Sequence, residues 1–201
     1  MKRKVSIIIY VLLFCMFLIL YLTNNINGFD EYFYNLIINL RSDSMTTFMK
    51  FITFFASTKF IIVLLLIFLI GYFIKKKKLF LIIDGIILGE VLLNNIIKLL
   101  IGRERPELEH LVTETSYSFP SGHTMVSVVL YGHIMYLINK CKIDNKIKIV
   151  LNIFCSLLII LIMMSRIYLG VHFASDVFAG MCLSSAYLIF IIDLLERRKM
   201  L

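Results

Sequence analysis

Six long apolar runs divide the chain, and they cover residues 5–22, 60–74, 79–100, 123–139, 147–164 and 172–195. A helix that crosses a bilayer needs roughly 20 apolar residues, because hydrocarbon offers no partner to an unpaired backbone group. The second and fourth runs are short, but residues 51–57 and Phe119 can extend them. The pattern therefore predicts an all-α protein with six transmembrane helices in one bundle, and residues 1–201 as a single domain.

The segment 24–58, between the first and second runs, is the least regular part of the chain. Its apolar residues recur at helical spacing with polar residues between them, as in the series Phe29, Asp30, Glu31, Tyr32, Phe33, Asn35, Leu36, Ile37, Asn39 and Leu40. This spacing favours a short helix that lies in the outer membrane interface. A partly buried helical hairpin explains the pattern equally well.

Composition excludes a soluble globular domain. Hydrophobic residues make up 60% of the chain and charged residues 17%, and the mean hydropathy is +0.92. The first run follows Lys2, Arg3 and Lys4, as in a signal peptide, but its 18 residues are followed by no small-residue cleavage site. We therefore interpret it as a retained span in a multi-pass membrane protein. The richness in Ile, Lys and Asn is typical of a bacterial source with low GC content.

The basic residues predict the orientation in the membrane. Of the 21 lysines and arginines, 14 fall on one side of the six-span layout, in the N-terminal stretch, residues 75–78, residues 140–148 and the C-terminal stretch. Because short cytoplasmic loops are enriched in Lys and Arg, both termini should be cytoplasmic. This distribution also explains the net charge of +8 without a nucleic-acid partner, since no basic stripe is formed.

Three polar clusters stand at the ends of apolar runs on the opposite side. They are Lys98 with Arg105 and Pro106, then residues 120–123, and then Ser165 and Arg166 followed by His172 and Asp176. A phosphate monoester carries close to two negative charges, and its transfer needs fixed positive donors. Lys98, Arg105 and Arg166 provide three such donors. The alternative for Lys98 and Arg105 is that they only mark the end of the third span.

The remaining cluster residues suit an anion and proton transfer. Ser121 offers a hydroxyl, Gly122 lets the backbone approach an anion closely, and His123 falls in the first turn of the fourth helix, placed to give a proton. His172 and Asp176 are four residues apart, hence on one helical face. A carboxylate on Nδ1 would leave the Nε2 lone pair free for nucleophilic attack.

In their order and spacing these clusters resemble the type 2 phosphatidic acid phosphatase superfamily. The matching elements are Lys98-x6-Arg105-Pro106, Pro120-Ser121-Gly122-His123 and Ser165-Arg166-x5-His172-x3-Asp176. Within that superfamily the short chain and the sequence around Phe119 resemble the bacterial phosphatidylglycerophosphate phosphatase B branch. The close resemblance covers about residues 92–180, and the six-run layout extends it over the whole chain.

The resemblance implies a membrane lipid phosphatase with an extracytoplasmic active site that uses neither metal nor cofactor. His172 would attack phosphorus with Asp176 orienting it, and His123 would protonate the leaving alkoxide and later assist water. Lys98, Arg105, Ser121, Gly122 and Arg166 would hold the phosphoryl oxygens. The substrate would be phosphatidylglycerophosphate or phosphatidate, and the oligomeric state is left open.

Other functions remain open at this stage. The same chemistry serves undecaprenyl diphosphate hydrolysis or transfer of phosphate to another lipid. A transporter would need ionisable groups along several spans, whereas here they gather near one face. A catalytically inactive lipid-binding protein is disfavoured by His123, His172 and Asp176.

Several further polar residues have more modest interpretations. Glu90, Asn94 and Lys98 share one face of the third span with Asp84 and Asn95 nearby, and we favour a helix-to-helix hydrogen-bond network over a role in substrate binding. His133 is interpreted as a satisfied interior histidine. The loop 107–117, which contains Glu114, could screen head groups or gate entry, and a solvated connector explains it equally well. The same alternatives apply to Arg103 and His110.

Overall fold

The computed structural model describes residues 2–107 and 109–200, and within these ranges it contains α-helices and no strand. Eight helices are found there: α1 (Lys2–Leu22), α2 (Asn27–Ile38), α3 (Asp43–Phe54), α4 (Thr58–Lys75), α5 (Leu79–Ile101), α6 (Gly122–Lys140), α7 (Asn145–Tyr168) and α8 (Ala174–Arg197). The predicted domain 1–201 includes Met1, Leu108 and Leu201, which lie outside the described residues.

Local sequence signals begin and end several of these helices. The Ser42 and Ser57 side chains accept hydrogen bonds of 3.3 Å from the backbone N–H groups of Met45 and Phe60, and so cap α3 and α4. α5 ends at Gly102, whose φ of +64° is the left-handed conformation that glycine adopts without strain. The loop that contains Arg103 and Arg105 begins at this helix end.

Five helical segments are long and apolar enough to cross a membrane: α1, the α3–α4 pair, α5, α7 and α8. Their outward faces carry large apolar side chains, such as Leu12, Ile74, Leu99 and Phe154. These surfaces suit hydrocarbon and explain the high mean hydropathy. The chain is therefore a membrane protein.

α6 corresponds to the fourth apolar run but is not among those five segments. It packs against α5, α7 and α8, and the whole stretch 124–131 is buried. Because protein surrounds it, this helix tolerates Ser, Thr and His side chains that a lipid-facing helix would not. His133 is an interior residue, as predicted, but the prediction that it is satisfied is wrong, because neither ring nitrogen has a hydrogen-bond partner among the described residues. The 19 residues of α6 correspond to a length of about 28 Å, so the sixth span stays a prediction.

The segment before the second span forms two helices, α2 and α3, and only part of the predicted apolar stripe is buried. Ile37 is enclosed, and Phe29 and Phe33 pack with it, but Tyr32 and Leu36 are exposed. Asp30, one of the polar residues between the apolar positions, is 5% exposed. The buried face of α2 is therefore not purely apolar, because it carries the Asp30 carboxylate as well as Ile37.

The two ends of the bundle differ in their side chains. At one end Arg3 of α1 and Lys140 of α6 both contact Glu196, near the C-terminal end of α8. The opposite end gathers the last turn of α5, the start of α6 and the junction between α7 and α8. That end contains the three polar clusters.

Candidate active site

A cavity of about 410 Å³ lies at the end of the bundle where the three clusters meet. Lys98 and Arg105 of the first cluster, Gly122 and His123 of the second and His172 of the third line it. Arg166, Ser121 and Asp176 lie directly behind this lining, each at most 1% exposed. The fold therefore brings together residues that are up to 78 positions apart in the sequence, from Lys98 to Asp176.

His172 is not helical, contrary to the prediction that it shares a helical face with Asp176. It precedes α8, whose first residue is Ala174. The contact forms nevertheless, with 3.4 Å between His172 Nδ1 and Asp176 Oδ2. Side chains in a first helical turn point back toward the N-terminus, so Asp176 reaches the residues that precede its helix. The same carboxylate oxygen accepts the backbone N–H of Phe173 at 2.9 Å.

The neighbours of the His172 ring fix its tautomer. Arg105 Nη1 lies 3.3 Å from Nε2, and a guanidinium can only donate, so Nε2 must be the nitrogen with the lone pair. Nδ1 then carries the proton and faces Asp176. Ser118 supports this arrangement, since its hydroxyl donates to Asp176 Oδ2 at 2.5 Å and lies 3.2 Å from Nδ1.

Burial lowers the pKa of His172 well below its usual 6.5, and the nearby charges of Arg166, Arg105 and Lys98 lower it further. The imidazole is therefore neutral at neutral pH. A neutral ring with Nε2 unprotonated is the form that can attack an electrophile.

The three predicted cations are held by protein oxygens at the cavity wall. Arg105 donates at 2.7 Å to the carbonyls of Ser116 and Val171. Lys98 donates to the Tyr117 carbonyl. Arg166 is 1% exposed and donates to Thr53 Oγ1 of α3 at 2.7 Å. These contacts fix the positions of the cations before any ligand arrives.

Glu114 occupies the centre of this cationic group, although the sequence indicated only a gate or connector for its loop. Its carboxylate pairs with Arg166, lies 3.8 Å from Arg105 Nη2, and lies 3.9 Å from Nδ1 of His123. Two carboxylate oxygens here stand in for two oxygens of a phosphoryl group. The contacts show that these side chains can surround a negatively charged group from three sides.

The two residues before His123 differ in their access to the cavity. Gly122 lines it, and a Cβ on this residue would lie 3.1 Å from Asn94 Oδ1. Ser121 is fully buried, and its hydroxyl accepts a hydrogen bond from Thr124 Oγ1 at 3.1 Å. The predicted hydroxyl donor of Ser121 is thus not among the cavity-lining groups. His123 is in the first turn of α6, as predicted, and does line the cavity.

Arg103 contacts Asp176, although the sequence left it between a screening or gating role and a solvated connector. Its Nη1 donates to Asp176 Oδ1 and to Ser175 Oγ, both at 2.7 Å, and its Nη2 donates to Asp30 Oδ2 at 2.8 Å. The guanidinium lies between the Tyr21 and Phe173 rings, 4.6 and 4.0 Å from their centroids. The pairing joins residues 73 positions apart, so no local pattern predicts it.

An apolar surface continues from this cavity along α4 and α5. The cavity wall includes Ile62, Leu65 and Leu88, and these three residues also line an adjoining groove of about 470 Å³. A ligand with a charged head and a hydrocarbon tail matches this arrangement of cations and apolar side chains.

Comparisons with known proteins agree with this geometry. The family model described as the PAP2 superfamily matches residues 78–200, a range that contains all three clusters. Phosphatidylglycerophosphatase B of Bacillus subtilis (strain 168) is 34% identical over 179 residues, which are 85% of this chain and 87% of that protein.

Two crystal structures resemble the chain. That of the transmembrane PAP2 type phosphatidylglycerolphosphate phosphatase from Bacillus subtilis aligns with a TM-score of 0.82 at 32% identity, covering 94% of this chain and 96% of that one. Aquifex aeolicus LpxE aligns with a TM-score of 0.59 at 27% identity, covering 81% and 92%.

Proposed function

Because the chain belongs to the PAP2 superfamily, we propose that it removes the terminal phosphate of phosphatidylglycerophosphate or phosphatidate through a phosphohistidine at His172. Its similarity to these relatives supports a membrane lipid phosphatase, which is a phosphoric monoester hydrolase. The observation that carries the proposal is the His172 ring, whose Nε2 lone pair faces Arg105 while Asp176 lies at Nδ1.

The reaction has two steps. In the first, His172 Nε2 attacks phosphorus, the bond to the lipid oxygen breaks, and His123 gives its proton to that oxygen. In the second, water attacks the phosphohistidine with His123 taking its proton, and His172 is regenerated as phosphate leaves. Proton transfer of this kind contributes about 10²–10⁴-fold.

Lys98, Arg105 and Arg166 hold the phosphoryl oxygens in both steps, assisted by the backbone at Gly122. Three fixed cations can offset a dianion, and their positions are set in advance by the contacts described above. We therefore propose that the reaction needs no metal ion and no cofactor. Ser121 is left out of this set, because its backbone N–H donates to the Asp176 carbonyl at 3.1 Å and its hydroxyl does not line the cavity.

The orientation is also part of the proposal. We infer six spans in one domain over residues 1–201, cytoplasmic termini and an active site at the extracytoplasmic face. The contacts of Arg3 and Lys140 with Glu196 support a common side for both chain ends, and the lysine-rich and arginine-rich loops favour the cytoplasm for that side.

The test is phosphate release from a panel of pure lipids by purified protein in detergent. The panel contains phosphatidylglycerophosphate, phosphatidate and a polyprenyl diphosphate. Wild type should release phosphate from at least one of the first two in the presence of a chelator, and His172→Ala should release none.

His110→Ala is the matched control, since His110 contacts the Pro106 carbonyl and does not line the cavity. Release from the diphosphate alone would contradict the substrate assignment, and loss of activity in the chelator would contradict the metal-free chemistry.

A further inference from the structure

Glu90 is a buried carboxyl group in the wall of the catalytic cavity, and the proposed reaction does not use it. It lies on α5 and is 1% exposed. Among the residues that the structure describes, neither of its carboxyl oxygens has a hydrogen-bond partner. An unpartnered polar group at membrane depth is costly and is typically retained for a function. The helix-to-helix hydrogen-bond network expected from the sequence is thus wrong for Glu90.

Asn94, one turn further along α5, presents a second acceptor to the same cavity. Its Nδ2 donates to the Pro120 carbonyl at 3.2 Å and lies 3.1 Å from Met125 Sδ. These contacts fix the amide and turn Oδ1 toward Gly122. Both Asn94 and Glu90 line the cavity, so its wall carries two oxygen-bearing groups about 6 Å apart along the helix axis.

The order of groups along α5 defines which part of a substrate meets them. Lys98, at the phosphate end, is followed one turn deeper by Asn94, and another turn deeper by Glu90. The apolar Leu88 and the facing Leu65 of α4 come next. A lipid phosphate with its head at the cations and its tail along α4 and α5 therefore places its leaving-group atoms, those between phosphate and acyl chains, beside Asn94 and Glu90.

A hydroxyl is the ligand chemistry that fits these groups. A carboxylate only accepts hydrogen bonds, and a protonated carboxyl donates from its O–H but still accepts on its carbonyl oxygen. With the Asn94 Oδ1 the wall therefore presents at least two acceptors and at most one donor, and a hydroxyl can pair with either kind of group. Ester carbonyls have no proton to donate. The linking glycerol of phosphatidylglycerophosphate carries a free hydroxyl between the scissile phosphate and the diacylglycerol, whereas phosphatidate has none.

We propose that Glu90, assisted by Asn94, forms a hydroxyl-binding subsite that makes the enzyme prefer lipid phosphates whose leaving group carries a free hydroxyl. This inference rests on the proposed function and names the substrate class within it. Glu90 acts on the substrate linker and takes no part in phosphoryl transfer. A substrate without the hydroxyl leaves a buried acceptor unpaired and is discriminated against for that reason.

The experiment compares phosphatidylglycerophosphate with an analogue in which propane-1,3-diol replaces the linking glycerol, so that only the hydroxyl is missing. We expect wild type to have about ten-fold higher kcat/KM for the hydroxylated substrate. Glu90→Leu should lose this preference by slowing the hydroxylated substrate, with little change for the analogue. Glu90→Gln, which keeps an acceptor, should retain part of it.

Asp84→Asn is the matched control, because Asp84 is another buried carboxylic acid of α5 that lines the adjoining groove, whose contacts both substrates share, and not the catalytic cavity. It should leave the ratio of the two kcat/KM values unchanged. Should Glu90→Leu fail to accumulate in the membrane, Glu90→Met carries the same comparison.

Equal rates of wild type on both substrates, or an equal loss on both in Glu90→Leu, would overturn the subsite. Failure of wild type to release phosphate from any lipid phosphate would instead overturn the proposed function. The two failures are therefore distinguishable.

Discussion

Arg103 and Asp176 form a buried ion pair, with 2.7 Å between Nη1 and Oδ1, and this pair connects the catalytic carboxylate to the N-terminal part of the chain. The same guanidinium pairs with Asp30 of α2 at 2.8 Å. Asp176 thus has one oxygen fixed by Arg103, and its other oxygen contacts His172, Ser118 and the backbone N–H of Phe173. We infer that Arg103 positions Asp176, and that α2 contributes to the active site through Asp30.

Removing Arg103 should impair both catalysis and stability. Arg103→Met leaves two buried carboxylates without their cation, and breaking a buried pair costs about 3–5 kcal/mol. We expect a large fall in kcat, a smaller change in KM and a lower midpoint of thermal unfolding. Arg103→Lys, which keeps the charge but not the fork, should recover part of kcat. A normal kcat in Arg103→Met would show that Asp176 does not need this partner.

The two serines near the site should differ in their effects. Ser118 donates to Asp176 Oδ2, whereas the Ser121 hydroxyl accepts from Thr124 away from the cavity lining. Loss of one hydrogen bond to a charged group corresponds to a change of roughly ten-fold or more in an equilibrium or rate constant. Ser118→Ala should therefore lower kcat by about that factor. Ser121→Ala should lower it less. Steady-state kinetics of both variants decide the point, and the reverse order would contradict the geometry.

Glu114 should compete with phosphate for the cations. Its carboxylate contacts Arg166 and lies near Arg105 and His123, so an incoming dianion must displace it. We expect Glu114→Gln to bind inorganic phosphate about ten-fold more tightly, because the competing charge is removed. The measurement is the inhibition constant of phosphate against lipid hydrolysis. An unchanged or larger constant would show that the carboxylate does not occupy the anion site.

The acid limb of activity should lie below pH 6.5. Burial and three cations hold the pKa of His172 well below its usual 6.5, so the ring stays neutral until the pH falls through that lowered value, and only then loses its lone pair. Arg105→Gln removes a positive charge that disfavours the protonated ring, so the pKa of His172 rises and the limb moves to higher pH. The profile of kcat/KM in both proteins checks the direction. A shift toward lower pH would contradict it.

A reporter fused to the C-terminus tests the orientation. A fluorescent protein that matures only in the cytoplasm should be bright there, and an alkaline phosphatase that needs the periplasm or cell exterior should be inactive. The same two reporters fused after Tyr117, in the loop near the active site, should give the opposite pattern. Equal patterns at both positions would contradict an extracytoplasmic site.

The sequence was sufficient to predict the all-helical membrane fold and the convergence of the three clusters. Apolar runs set the helices, and helix ends on one side of a bundle are necessarily neighbours, so Lys98, His123 and Arg166 were expected together. The same reasoning located His123 in the first turn of α6. The family resemblance, confirmed by the comparisons, added the branch.

Contacts that depend on tertiary packing were beyond the sequence. The ion pair of Asp30 with Arg103 joins a helix near the N-terminus to the loop after α5, and no local periodicity reports such a pair. The loop around Glu114 has no regular pattern, so its reach to Arg166 depends on how the loop folds over the cavity. The sixth run was predicted from residue 172, but α8 begins only at Ala174, after the turn at residues 169–173.

Trapping the covalent intermediate tests the central claim most directly. Wild-type protein is mixed with a lipid substrate labelled in its terminal phosphate, quenched in alkali within one turnover, digested and sequenced by mass spectrometry. We predict an acid-labile, alkali-stable phosphate on His172, which is absent from His172→Ala and accumulates if the second step is slowed. Label on another residue, or full phosphate release with no labelled protein at any time point, would contradict the account.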